Sequence, residues 1–126
     1  MSATAAAPLD RGRQELLAAR ALLDGGFPSQ ALTRAYFAAF HAASAALLAV
    51  GETPSTPAGV LAAFNRRVVQ DDHLDPDHAR ALRRLFEDRN DVEYALAQAP
   101  EREAEVAIEQ AQALMDAVEA RLAPEA

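Results

Sequence analysis

Cysteine and lysine are both missing from this chain of 126 residues, and each absence narrows what the protein can be. Without cysteine there are no disulfides, thiolate zinc sites or thiol nucleophiles, so hydrophobic packing must hold the fold, a pattern that fits a reducing, cytoplasmic setting. All twelve basic residues are arginine and 32 residues are alanine, which matches the codon usage of a GC-rich genome and makes arginine choice weak evidence for phosphate binding. The five glycines stand in neither a GxGxxG nor a GxxxxGK arrangement, so no glycine-rich phosphate loop is present. His41, His73 and His78 lack HExxH spacing, and no serine or threonine stands in a nucleophile-elbow context. The pairs Asp71-Asp72 and Asp75-Asp77 read as turns and caps, so no metal or cofactor is expected.

Long apolar runs are lacking too. The longest uncharged stretch, Ala35 to Gly51, falls short of the roughly 20 residues of a membrane span and contains His41 and Ser44. It reads as the central buried helix of a soluble bundle, with no membrane contact. The start MSATAAAPL has no positive region ahead of its small residues, so a secretory signal is not expected.

The net charge is −7, carried almost entirely by one end. Residues 91–126 hold nine acids against two arginines, whereas the two signs balance over the rest of the chain. That end would repel nucleic acid, so an RNA contact would have to come from Arg66, Arg67, Arg80, Arg83, Arg84 or Arg89. The plainer reading of those arginines is a solvated face with internal ion pairs.

No segment alternates with period two, and alanine, leucine, glutamate and arginine are strong helix formers, so the fold class is all-α. Punctuation marks five helices. The first runs from about Leu9 to Asp24 and stops at Gly25-Gly26; the second runs from Pro28 to before Gly51 and is apolar almost all round. Thr56-Pro57 opens a third helix to about Gln70, Asp75-Pro76 a fourth to about Leu96, and Pro100 a fifth with an acidic first turn. Short loops favour an antiparallel bundle of four to five helices. Residues 1–8 are expected to be disordered or frayed, 9–122 to form one helical domain, and 123–126 to be a C-terminal tail.

One charge sits where charge is costly. On a helical wheel of the fourth helix, Leu82, Leu85, Phe86, Val92 and Leu96 all fall within about 60° of Arg89. A charged group on an apolar stripe needs a partner, and Glu93, four residues on, is the simplest one. The second helix offers a matching polar seam: Arg34 and His41 share a face, with Thr33, Tyr36 and Ser44 nearby. If the two seams meet, the result is either a satisfied structural network or a partly open polar site.

The stretches TRAYFAAFHAASAALLAVG, TPAGVLAAF and LRRLFEDRNDVEY, in this order over about residues 9–122, resemble the HEPN domains of prokaryotes, in particular their small single-domain branch. The resemblance implies an antiparallel bundle, often a homodimer with the two fourth-helix motifs facing a shared cleft. It also implies frequent pairing with a minimal nucleotidyltransferase in two-component modules that include toxin–antitoxin pairs. Many HEPN toxins are metal-independent ribonucleases built on an arginine, an adjacent polar residue and a histidine four to six residues on. Arg89 matches the arginine, Asn90 the polar neighbour, and Tyr94 occupies the histidine's place. A second departure is Pro57, where relatives of this branch commonly carry histidine.

The exchange of histidine for tyrosine matters because a phenol, with a pKa near 10, is a poor base at neutral pH. Arg89 can still neutralise a phosphate. The resemblance therefore implies a nucleotide- or RNA-binding protein with weak or absent cleavage, with Arg34, Tyr36, His41, Arg83 and Glu93 as further binding candidates. Tyr94, expected about 140° from Arg89 on the polar side of the helix, is also a candidate acceptor for AMP from a partner nucleotidyltransferase. Two alternatives stand beside this reading: a metal-independent ribonuclease using Arg89 with His41 or Tyr94, and a structural dimer subunit in which Arg89 and Glu93 form a buried pair.

Overall fold

The computed structural model describes residues 2–123, with side chains from residue 5 onward. Five α-helices follow in order: α1 (Ser2–Asp24), α2 (Pro28–Ala49), α3 (Pro57–Ala63), α4 (Pro76–Tyr94) and α5 (Glu101–Leu122). A π-helical turn at Phe64–Gln70 continues directly from α3. Among the described residues there is no strand, and no helix is long and apolar enough to cross a membrane.

The sequence's punctuation sets most of the boundaries. After α1 the Phe27 N–H donates to the Leu22 carbonyl at 2.8 Å and the Gly26 N–H to that of Leu23 at 3.1 Å, with Gly26 at φ 90°, a left-handed cap that suits glycine. The Thr56 hydroxyl accepts from the Gly59 N–H at 3.0 Å, and the Asp75 carboxylate accepts from the Asp77 N–H at 2.9 Å, each with a proline at the first helical position. These side chains satisfy amide groups that a helix start leaves without partners.

Two boundaries depart from the sequence reading. The first helix begins at Ser2 rather than Leu9 and runs through Pro8, so residues 2–8, expected to be frayed, are helical. Proline fits helical φ but omits a hydrogen bond. That loss is offset because Ala5 and Leu9, one turn apart, are both buried. Of the expected C-terminal tail only Ala123 is described, and 124–126 lie outside the described residues. The third helix, expected to be regular to Gln70, widens at Phe64: the Asp71 N–H reaches back five residues to the Arg66 carbonyl at 3.0 Å. The wider turn buries Phe64, Val68 and Val69 together, while Arg67 donates outward to Glu52 at 2.7 Å.

The bundle is built around α2, which touches every other helix. Its inner residues are mostly alanine, including Ala35, Ala38, Ala39, Ala42 and Ala43, all without solvent exposure. Small side chains let helix axes approach closely, so larger residues from α1 and α5 such as Leu16, Leu114 and Met115 fill the space between. Gly12 marks the tightest approach: a Cβ there would collide with Met115 Cε and lie 3.2 Å from the Ala38 carbonyl oxygen. By contrast α4 lies at the rim, with only Leu82 and Leu85 fully buried.

Candidate functional site

The arginine on the apolar stripe is received by aromatic faces. Tyr36, Phe37 and Phe40 project from α2, and Phe86 from α4 joins them, with Tyr36 5.0 Å from Phe37, 5.9 Å from Phe40 and 6.0 Å from Phe86 between ring centroids. The Arg89 guanidinium carbon stands 4.8 Å from the Tyr36 ring centre, 5.3 Å from Phe37 and 6.0 Å from Tyr94. A planar, weakly hydrated cation over π faces gains about 0.5–2 kcal/mol, which makes its place on the stripe tolerable.

The guanidinium is nevertheless under-used. Its Nη1 donates to Asn90 Oδ1 at a long 3.4 Å, and its buried Nε has no hydrogen-bond partner. No carboxylate lies within ion-pair distance of Arg89 among the described residues. The expected Arg89–Glu93 buried pair does not form: Glu93 is exposed. Its carboxylate stays on the solvent side, whereas the guanidinium turns to the rings. The structural reading that rested on this pair is corrected accordingly.

A second cationic group approaches the same rings from the α1 side. Arg34 lies 4.9 Å from the Phe37 ring centre and donates through Nη1 to Glu15 Oε1 at 3.0 Å. Glu15, 5% exposed, also accepts from Arg11 Nε at 3.1 Å. His41, edge-on to Phe40 at 5.6 Å, is half-buried on this side, close to Gly12. Burial pushes its imidazole below the usual histidine range, with the Glu15 charge opposing and the Arg11 charge adding. Burial likewise pushes the Tyr36 phenol up, and Arg89 beside it works the other way.

The structure thus gathers Arg89, Asn90, Tyr94, Tyr36 and Arg34 around one set of rings. Tyr94, which the wheel placed on the far side from Arg89, comes within 6.0 Å because the long guanidinium stem reaches along the last turn of α4; its side chain is 78% exposed. Arg83 and Glu93 are exposed and outside the cluster. His41 makes no ring or polar contact with Arg89 and stands with Glu15 and Arg11 instead. Sequence reasoning passed over Phe37, Phe40 and Glu15. The run RAYFAAF, with three aromatics beside Arg34, held the signal for the rings, whereas Glu15 in RGRQELL looks like any surface acid.

A groove of about 380 Å³ between α4 and α5 is lined by Arg84, Asp88, Glu103 and Val106 among others. There burial pushes the Asp88 carboxyl up, Arg84 opposes, and Glu103, Asp91 and Glu87 add to the rise. No three His, Asp or Glu side chains converge as a metal site among the described residues.

With this geometry in place, comparison with known proteins decides the family. The family model for the HEPN domain matches residues 5–121. The chain is a HEPN-domain protein. It is 36% identical over 110 residues to a UPF0332 protein of Thermotoga maritima, covering 86% of this chain and 83% of that one. It is 28% identical over 114 residues to a provisionally named toxin of Methanocaldococcus jannaschii, covering 90% of this chain and 85% of that relative. The all-helical bundle agrees with membership of the HEPN family.

Proposed function

We propose that this HEPN protein is the RNA- or nucleotide-binding component of a toxin–antitoxin or nucleotidyltransferase module, working as a homodimer, with little or no ribonuclease activity of its own. The observation that carries the binding half is the state of Arg89: stacked on aromatic rings, lacking a carboxylate partner among the described residues, and holding a buried Nε without a hydrogen bond. A buried donor left unmade costs about 1–3 kcal/mol, so the fold itself does not satisfy this guanidinium, and its outer Nη groups can give an incoming phosphate charge-assisted bonds. The relative named as a toxin supports the toxin–antitoxin part of the reading.

The catalytic half turns on Tyr94. Attack by a 2′-hydroxyl needs a base and an acid near neutral pH, and an exposed phenol supplies neither well. Exposure suits a different role, as acceptor of AMP from a partner nucleotidyltransferase. The ribonuclease alternative draws on the half-buried position of His41, where burial lowers its pKa and so favours the neutral, proton-accepting form. Yet it shares no contact with Arg89.

Incubating wild type, Arg89→Ala and His41→Ala with defined RNA in the absence of metal, followed by denaturing electrophoresis, tests the reading. We expect intact RNA in every lane. Cleavage by wild type that vanishes in both variants would replace the binding reading with a ribonuclease built on Arg89 and His41.

A further inference from the structure

The Arg34 side of the ring cluster has features that a structural ion pair alone does not account for. Glu15 is buried and receives two arginines, Arg11 and Arg34, although one would neutralise it. Adding Arg89, the cluster sets three guanidinium groups against a single buried carboxylate. Two of those guanidiniums, Arg34 and Arg89, stand over the same phenyl ring of Phe37, at 4.9 and 5.3 Å. Like charges sharing one ring repel each other, and an anion between or beside them removes that repulsion.

The donors also remain available. Arg34 spends only Nη1 on Glu15, its other N–H groups have no partner among the described residues, and its side chain is 35% exposed. Glu15, held from the other side by Arg11, fixes the direction of the Arg34 stem, so the guanidinium would lose little rotamer freedom on meeting a ligand.

Building on the Arg89 reading above, we propose that Arg34 is a second phosphate-contacting residue, oriented by Glu15, so that the site takes two neighbouring phosphates of a single RNA strand. Phe37 is the shared platform that spaces the two guanidiniums. Glu15 is a positioning residue: it touches no ligand and acts through Arg34.

The salt dependence of binding reads this directly, because each phosphate neutralised on a single strand contributes about 0.7 to the slope of log K against log salt. The probe is a fluorescent single-stranded RNA oligonucleotide titrated over a range of salt concentrations with full-length wild type, Arg89→Met and the double variant Glu15→Gln/Arg34→Met. The double variant removes one charge of each sign, so the net charge of the protein is unchanged and a lower slope reports the lost contact rather than a lost charge. Circular dichroism confirms that each variant is folded. We expect both variants to lower the slope by about 0.7 relative to wild type. A slope that falls for Arg89→Met but not for the double variant overturns the second contact and leaves the Arg89 reading standing. An unchanged slope for Arg89→Met, or no salt-sensitive binding by wild type, overturns the Arg89 reading and the second contact with it.

Discussion

Helices α2 and α4 are of similar length and meet at the aromatic cluster, yet they are built on opposite terms. In α2 thirteen of 22 residues are buried, mostly alanines pressed between neighbours, whereas α4 buries only Leu82 and Leu85 of its 19. The inner helix supplies a fixed platform of rings, and the rim helix lays a cation on it. Holding a cation in this way needs both: a rigid surface fixes the guanidinium while the rim position leaves it only half-buried.

Replacing side chains in the two helices should expose that asymmetry. Leu32→Ala in α2, where Leu32 is 1% exposed, should cost about 2–5 kcal/mol in urea unfolding, while Val92→Ala in half-buried α4 should cost under about 1 kcal/mol. Equal losses would mean that α4 is part of the core. A pH series sharpens the contrast on the α2 side. His41 has a folded pKa below its ordinary 6.5, so the unfolded chain takes up the proton first and stability falls as pH drops below 6.5 through the folded value. His41→Gln should flatten the pH dependence of the melting temperature over that window; an unaltered profile would show that His41 is not held neutral.

On α4 the sign is reversed. Asp88 has a folded pKa above its ordinary 3.8, so its charge disfavours the fold at neutral pH and the penalty fades as pH falls toward 3.8. Asp88→Asn should therefore raise the melting temperature slightly at pH 7 and by less at pH 4, where an equal gain at both would point to something other than charge. The smallest effect belongs to Tyr94→Phe, which should leave stability within about 0.5 kcal/mol because the side chain is 78% exposed. A larger loss would place the phenol hydroxyl in a stabilising contact.

Legibility in the sequence divides along the same line as the two helices. Thr56, Asp75 and Gly26 announce caps locally, and the stripe of Leu82, Leu85 and Phe86 marks both the inner face of α4 and the oddity of Arg89, because these signals act within one helix. A wheel reports which face a residue shares but not what waits across the interface. It therefore suggested Glu93 as the partner of Arg89, when the rings of Tyr36 and Phe37 on another helix take that place. The burial of Glu15 and of Phe64, Val68 and Val69 in the π turn depends in the same way on neighbours remote in sequence.

The claim that Arg89 is held for a ligand rather than for the fold is tested most directly by one paired measurement on Arg89→Met. This change keeps an apolar stem against the rings and removes the guanidinium with its charge and donors. Binding of single-stranded RNA and the unfolding free energy are measured on the same samples. The account predicts at least a tenfold weaker affinity, about 1.4 kcal/mol, with stability altered by no more than about 1 kcal/mol. Unchanged affinity accompanied by a large loss of stability would contradict it and make Arg89 a structural residue.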